Sequence, residues 1–301
     1  MDKNILSKFT FCAKEHIMPY YEDFGADFHF FYGSTAFSGN IPGMHIHPHY
    51  EIMIVVNEVG QTPYINGVEC PSTALPSVTV VSPFTMHKTT FCRDRKNERF
   101  VFYFGNDMIA EFPSFFQKFE ELFENAMIRY TLSPELLEKI LPMLTRAYEK
   151  EKDTVFMKFN FLVLFYIILT EGNRDFAIKT SKSLNKTNEI IEYMVNHYQE
   201  NLTADEVAEH FFISRSKLNQ DFKRHIQIGF HQLLMEIRLN QAFYMLENDS
   251  ISIKEIASNL GFEKENYFNT FFKRMTGVTP LQYKKKKLAE RAAKNKKTLP
   301  Q

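Results

Sequence analysis

The chain has 301 residues, and its 36 Lys and Arg are balanced by 36 Asp and Glu, giving a formal net charge of zero. A hydrophobic fraction of 44% with 24% charged residues excludes global disorder, and at ~100–200 residues per domain the length predicts two domains or three. The three cysteines, Cys12, Cys70 and Cys92, are too few and too scattered for a disulfide framework or a thiolate metal site, and read as reduced thiols of a cytoplasmic protein.

The N-terminal segment lacks a continuous apolar core and a small-residue cleavage site, so it does not read as a signal peptide. From about residue 24 to 106, short apolar or aromatic runs (FHFFYG, YEIMIVV, SVTVVSP, RFVFYFG) alternate with Gly, Pro and Asn turns. That pattern predicts a small antiparallel barrel or sandwich. Within it, Asn66-Gly67 is a hairpin signal, because Asn-Gly readily supplies the positive φ of a type I′ turn.

Helical spacing follows over about 112–172. Phe115, Phe119, Leu122 and Phe123 fall on one helical face, and Ser133-Pro134 predicts an N-cap followed by a first-turn proline. The helix over 155–171 is apolar nearly all round, so it is expected in the core or at a dimer interface. Its continuous apolar stretch, Phe161 to Leu169, is far short of the ~20 residues that span a bilayer. Residues 173–187, polar and small, read as a linker. The expected organisation is therefore a sensing and dimerisation domain over 1–172, this linker, an all-α domain over 188–286 and a basic tail over 287–301.

Charge follows the same division. Residues 1–186 carry 19 basic and 22 acidic side chains (−3), and residues 187–301 carry 17 basic and 14 acidic (+3). From Lys264 onward there are 11 basic residues against Glu265 and Glu290, a balance of +9. Neutrality is an average over an acidic half and a basic end.

The C-terminal region repeats itself at about 50 residues. Val207-Ala208 matches Ile256-Ala257 at an offset of 49; Leu218, Phe222 and Lys223 match Phe268, Phe272 and Lys273 at an offset of 50. Each copy has the grammar of a helix-turn-helix, with Gly261 in the second turn and Ser214 as an N-cap in the first copy. If Leu218 and Phe222, or Phe268 and Phe272, fix the buried face, the opposite faces carry Ser216, Asn219, Gln220 and Lys223, or Asn266, Asn269, Thr270 and Lys273. Arg215, Lys217 and Lys264 flank them. Amides and hydroxyls read base edges in a major groove, and lysines meet guanine or phosphate. Any one solvated helix face is polar, but two copies with one pattern favour double-stranded DNA as the partner. Phe230 to Glu247 reads as one amphipathic spacer helix of ~27 Å, and the Lys284–Lys287 run would add phosphate attraction.

The run Ile256-Ala257 … Gly261-Phe262 … Tyr267-Phe268 … Phe272-Lys273 … Gly277 … Thr279-Pro280 … Tyr283 resembles the signature of the AraC/XylS family of bacterial transcription regulators, over roughly residues 187–286. Gln227 departs from it, standing where members usually have Gly. The resemblance implies a homodimeric, ligand-responsive regulator, an activator working with RNA polymerase, and no cofactor or catalytic residue. It also implies a fold that is α+β and multidomain, with an N-terminal cupin-like barrel and two C-terminal helix-turn-helix units.

His45, His47, Glu51 and His87 match the positions where metal-dependent cupins place three His and one Glu. In similar regulators such residues line an effector pocket, so they are expected, with Tyr64, to bind a small polar molecule, carbohydrate being the commonest. The competing reading is a metal-dependent cupin enzyme with a DNA-binding appendage, using the same four residues as ligands.

Overall fold

The structure is a computed structural model describing residues 28–35, 44–92, 96–247 and 250–297; Cys12, the N-terminal segment and the last four residues of the basic tail lie outside them. The described chain divides into two compact units that meet between Asn188 and Glu189.

The first unit is built on two antiparallel sheets. The larger has the order β1-β7-β2-β5-β8-β9, from Phe28–Thr35 (β1), Tyr50–Val55 (β2), Ser77–Val81 (β5), Asn97–Phe104 (β7), Asn125–Thr131 (β8) and Asn173–Lys179 (β9). The smaller has the order β4-β3-β6, from Gln61–Ile65 (β3), Val68–Glu69 (β4) and His87–Phe91 (β6). Strand β2 is buried throughout, because its two faces meet different neighbours. Ile52 and Ile54 join Phe100, Phe102 and Phe104 of β7 in the core beneath the helices. Met53 and Val55 join Val101, Tyr103 and Phe91 between the sheets. A period-2 chain thus serves two cores, and the sequence reads as a continuous apolar run. The β3–β4 hairpin turns on Asn66 and Gly67 at φ 52° and 78°, as the Asn-Gly signal predicts.

Helices α3 (Pro134–Glu149) and α4 (Thr154–Glu171) cover the larger sheet. Ser133 caps α3 by accepting from the Leu136 amide, and Asp153 caps α4 through the Phe156 amide. Helix α4 has 18 residues with a mean hydropathy of 1.6, yet Phe161, Leu164, Phe165 and Ile168 pack into the sheet core. Its far side leaves Val155, Phe159, Val163 and Tyr166 exposed, Phe159 to 56%.

Three expectations are corrected. Phe115, Phe119, Leu122 and Phe123 do not share one helix: they fall in α2 (Pro113–Gln117, after α1, Asn106–Glu111), in a 3-10 turn at Glu120–Leu122 and in the adjoining loops. The turns let Phe115, Phe116 and Phe119 pack together, while Asn125–Thr131 leaves helical spacing altogether and enters the sheet. Second, residues 173–187 are no linker. Residues 173–179 form β9 on the edge of the larger sheet, and 182–187 open helix α5 (Lys182–His197). The polar side chains there belong to an edge strand, held by buried Arg129, whose guanidinium donates through two nitrogens to Asp175. Third, no boundary falls at 286/287, where the basic tail was expected to begin: helix α11 (Pro280–Lys297) runs across it.

The second unit carries α6 (Ala204–His210), α7 (Arg215–His225), α8 (Phe230–Leu246), α9 (Ile253–Asn259), α10 (Glu265–Thr276) and α11. The spacer α8 is not amphipathic as expected: Leu233, Leu234, Glu236, Ile237, Arg238, Leu239 and Asn240 are all buried. Arg238 is compensated by backbone: it donates to the carbonyls of Tyr198 and Glu200, each at 2.8 Å.

Candidate nucleic-acid interface and a buried histidine–carboxylate cluster

The two helix-turn-helix copies are built alike to the level of single hydrogen bonds. In the first turn Phe212 donates to Glu209 and Ile213 to Ala208; in the second, Gly261 donates to Ser258 and Phe262 to Ala257. The left-handed residue is Phe212 in one turn (φ 55°) and Gly261 in the other (φ 78°). Ser214 caps α7 through the Lys217 amide, whereas Lys264 precedes α10 with no side-chain cap. The extra residue of the second copy lies between these turns and caps, and it changes the offset from 49 to 50.

Leu218 and Phe222 of α7, and Phe268 and Phe272 of α10, are buried. Arg215, Ser216, Lys217, Asn219, Gln220 and Lys223 are exposed on α7, and Lys264, Asn266, Thr270 and Lys273 are exposed in or beside α10, with Asn269 half-buried. Some of these charges already have partners: Arg215 pairs with Asp205 at 2.8 Å and Lys217 with buried Asp221 at 2.6 Å. Both lysine and arginine must leave or share those carboxylates to meet a phosphate. Lys284 is unavailable for the role expected of it, because it is buried and its ammonium donates to the Ile251 carbonyl.

The sequence reading passed over several groups on these surfaces. Arg224 and Arg274 directly follow the matched lysines and are exposed; the repeated Phe-Lys-Arg was visible in both copies. Phe212 is 97% exposed in the first turn, and no periodicity argument flags a single turn residue.

In the first unit, His45, His47, Glu51 and His87 come together although no regular strand joins His45 to Glu51. His45 and His87 form an isolated antiparallel bridge, with mutual backbone bonds of 3.0 and 2.9 Å. Glu51 on β2 faces the inter-sheet space, on the side of Met53 and Val55. His47 Nε2 and His87 Nε2 both approach Glu51 Oε2 at 3.3 Å. Each ring is anchored through its other nitrogen, His47 Nδ1 to the His49 carbonyl at 2.9 Å and His87 Nδ1 to the Thr85 carbonyl at 2.8 Å. Burial lowers the His47 imidazole's proton affinity, against its hydrogen bond to the Glu51 carboxylate, which raises it. For Glu51, burial opposes ionisation, but His87 and His47 outweigh it and hold the carboxyl well below the ordinary range.

Tyr64, expected in the same pocket, is not there. On β3 Gln61, Pro63 and Ile65 are the buried positions, and Tyr64 alternates outward. Its hydroxyl donates to Glu69 at 2.9 Å, and Lys88 lies over its ring. Tyr103, by contrast, stands edge-on to His47, with ring centroids 5.1 Å apart.

Residues 207–286 match the family model described as a helix-turn-helix domain. The chain is 42% identical over 71 residues to the HTH-type transcriptional activator RhaR of Cronobacter sakazakii, covering 24% of this chain and 25% of that protein. It is 33% identical over 116 residues to the HTH-type transcriptional regulator ArgR of Pseudomonas aeruginosa, covering 37% and 35%. The overlap is thus a quarter to about a third of the length of these curated relatives. Among solved structures, apo ToxT from Vibrio cholerae is similar with a TM-score of 0.52 at 14% identity, over 86% of this chain and 97% of that one. That likeness is one of fold.

Proposed function

We propose that this chain, whose C-terminal domain is a double helix-turn-helix of the AraC/XylS type, is a ligand-responsive transcription regulator and an activator rather than an enzyme. The observation that carries this reading is the pair of matched units, each presenting amides, hydroxyls and basic groups on the exposed face of its second helix. Helices α7 and α10 enter successive major grooves, Gln220, Asn219, Asn266 and Asn269 read base edges, and Lys223, Lys273, Arg224 and Arg274 meet phosphates.

The cluster around Glu51 in the first unit is the sensing site, and its effector is a small polar molecule for which carbohydrate chemistry is the first to test. An effector shifts the regulator only by favouring one arrangement of the protein over another. The exposed apolar stripe of α4 serves a second copy of the chain, so the working form is a cytoplasmic homodimer that engages RNA polymerase.

The test is anisotropy titration of full-length protein against its own upstream DNA over a salt series, with and without candidate sugars. Sequence-selective binding that weakens steeply with salt is expected. Binding indifferent to sequence, or none, overturns the proposal.

A further inference from the structure

Helices α7 and α10 differ along one flank. Lys217, Asp221 and His225 lie one turn apart on α7, and at the offset of 50 the matching positions of α10 are Tyr267, Phe271 and Met275. Phe271 is buried against Phe262, and Tyr267 one turn before it is exposed and uncharged. An apolar side chain therefore satisfies the packing at this position, yet the first copy buries a carboxylate there. Asp221 is 3% exposed and accepts from the Lys217 ammonium at 2.6 Å. Burying that charge costs free energy that a phenylalanine does not. At neutral pH His225 adds no counter-charge, because burial lowers its imidazole's proton affinity against the opposing pull of Asp221.

Helix α7 carries four cations, Arg215, Lys217, Lys223 and Arg224, whereas α10 carries two, Lys273 and Arg274. Arg215 is held by Asp205, and with both partners well exposed such a pair exchanges readily for a phosphate. Lys217 is held differently. If it left Asp221 it would strand a buried carboxylate, which is strongly disfavoured. Its charge is thus cancelled on the flank where the second copy has no charge at all.

We infer that Asp221 is a positioning residue that holds Lys217 off the DNA backbone, so that α7, like α10, presents no net charge on this flank. The inference rests on the DNA-binding reading above. Non-specific affinity is set by phosphate contacts, each adding about 0.9 to the slope of log K against log salt. Masking Lys217 removes one of them and leaves discrimination to base-reading groups such as Asn219 and Gln220.

Full-length protein is titrated by anisotropy against its own upstream duplex and a scrambled duplex over a salt series. Asp221→Asn keeps the side-chain size, and Asp221→Leu matches the apolar character of the second copy. Each is expected to steepen the slope on scrambled DNA by about 0.9, roughly an eightfold gain in affinity at about 0.1 M salt. Asp221→Glu keeps the charge and should keep the wild-type slope. Adding Lys217→Gln to Asp221→Asn should remove the gain. A residue that only packs would move the unfolding midpoint and leave the slope alone. Wild-type slopes in Asp221→Asn and Asp221→Leu, both unfolding cooperatively, overturn the inference, as does a gain that survives Lys217→Gln. If wild-type protein still selects its upstream DNA, that result sinks this inference alone; wild-type protein that binds neither duplex removes the DNA-binding reading with it.

Discussion

Gln227 and Gly277 occupy the same left-handed position after helices α7 and α10, at φ 64° and 79°. The Gln227 amide reaches back five residues to Phe222 and the Gly277 amide four residues to Lys273, so a left-handed residue ends each helix with a different closing bond. Phe212 and Gly261 form a second such pair, in the turns that precede those helices. In the first copy both left-handed sites hold residues with a Cβ; in the second both hold glycine. The departure from the family signature at Gln227 therefore leaves the turn intact and stores strain in it.

That strain is measurable. A residue with a Cβ in the left-handed region costs ~1–2 kcal/mol, and glycine returns part of this through unfolded-chain entropy. Gln227→Gly is expected to stabilise the C-terminal unit by about 0.5–1 kcal/mol in urea unfolding. Gly277→Ala should lose a similar amount, because no atom lies within 4 Å of the added Cβ. Gly261→Ala should lose far more, since its Cβ would stand 2.5 Å from the Gln199 carbonyl oxygen. Equal costs at Gly261 and Gly277 would contradict this account.

The proposed DNA-reading faces predict two kinds of loss. Gln220→Ala or Asn269→Ala should cost about 1–3 kcal/mol on the preferred site and relax selection at one base position. Lys223→Ala or Lys273→Ala should weaken all sequences alike and flatten the salt slope by about one. Anisotropy titrations on matched and scrambled duplexes separate the two. Uniform loss from Gln220→Ala would move that residue to the backbone-contacting set.

Much of this was legible in advance because repeats and buried pairs leave periodic traces. Leu218 with Phe222, and Phe268 with Phe272, mark the buried side of each helix by spacing alone, and so the polar face opposite. His45, His47, Glu51 and His87 were identifiable by residue type, whereas their orientation by the His49 and Thr85 carbonyls depends on backbone that no spacing reveals. Tyr64 has the residue type of a pocket lining, but its parity on β3 turns it away from the cluster. Strand β9 was missed because an edge strand with exposed polar residues has the composition of a linker; what distinguishes it is a long-range partner, Arg129, 46 residues earlier.

That partner gives a prediction for the edge. Arg129 is 3% exposed, and Asp175 is its carboxylate partner at 2.8 Å. Removing the acid leaves a buried guanidinium with less compensation, a loss that partial exposure of Asp175 reduces. Asp175→Ala should destabilise the first unit by about 2 kcal/mol and raise amide exchange across β9. Exchange confined to Asp175 itself would mean that the strand is held by its ladder alone.

Helix α4 supplies the test of assembly. Val155, Phe159 and Val163 recur at four-residue spacing on the side away from the sheet core. An apolar stripe of that kind on an otherwise packed helix marks an interaction surface. Phe159→Glu should convert dimer to monomer in sedimentation velocity while the unfolding midpoint of the chain changes little. A wild-type chain that sediments as a monomer at every concentration would remove the dimer from the proposal.

Glu236 provides the last prediction. It lies in the middle of α8, 5% exposed, with Oε2 making no hydrogen bond. Burial raises its carboxyl above the ordinary value. The folded state therefore holds this proton to higher pH than the unfolded chain does. Between the unfolded and folded values the native state binds more protons, so stability falls as pH rises and levels off once the folded carboxyl has ionised. Glu236→Gln removes the ionisation without changing the side-chain size. It should raise the unfolding midpoint at about pH 7 and leave it nearly unchanged at about pH 4, where the carboxyl is protonated in the native state. Parallel midpoint curves for the two proteins across that range would show that burial does not shift Glu236 in the folded chain.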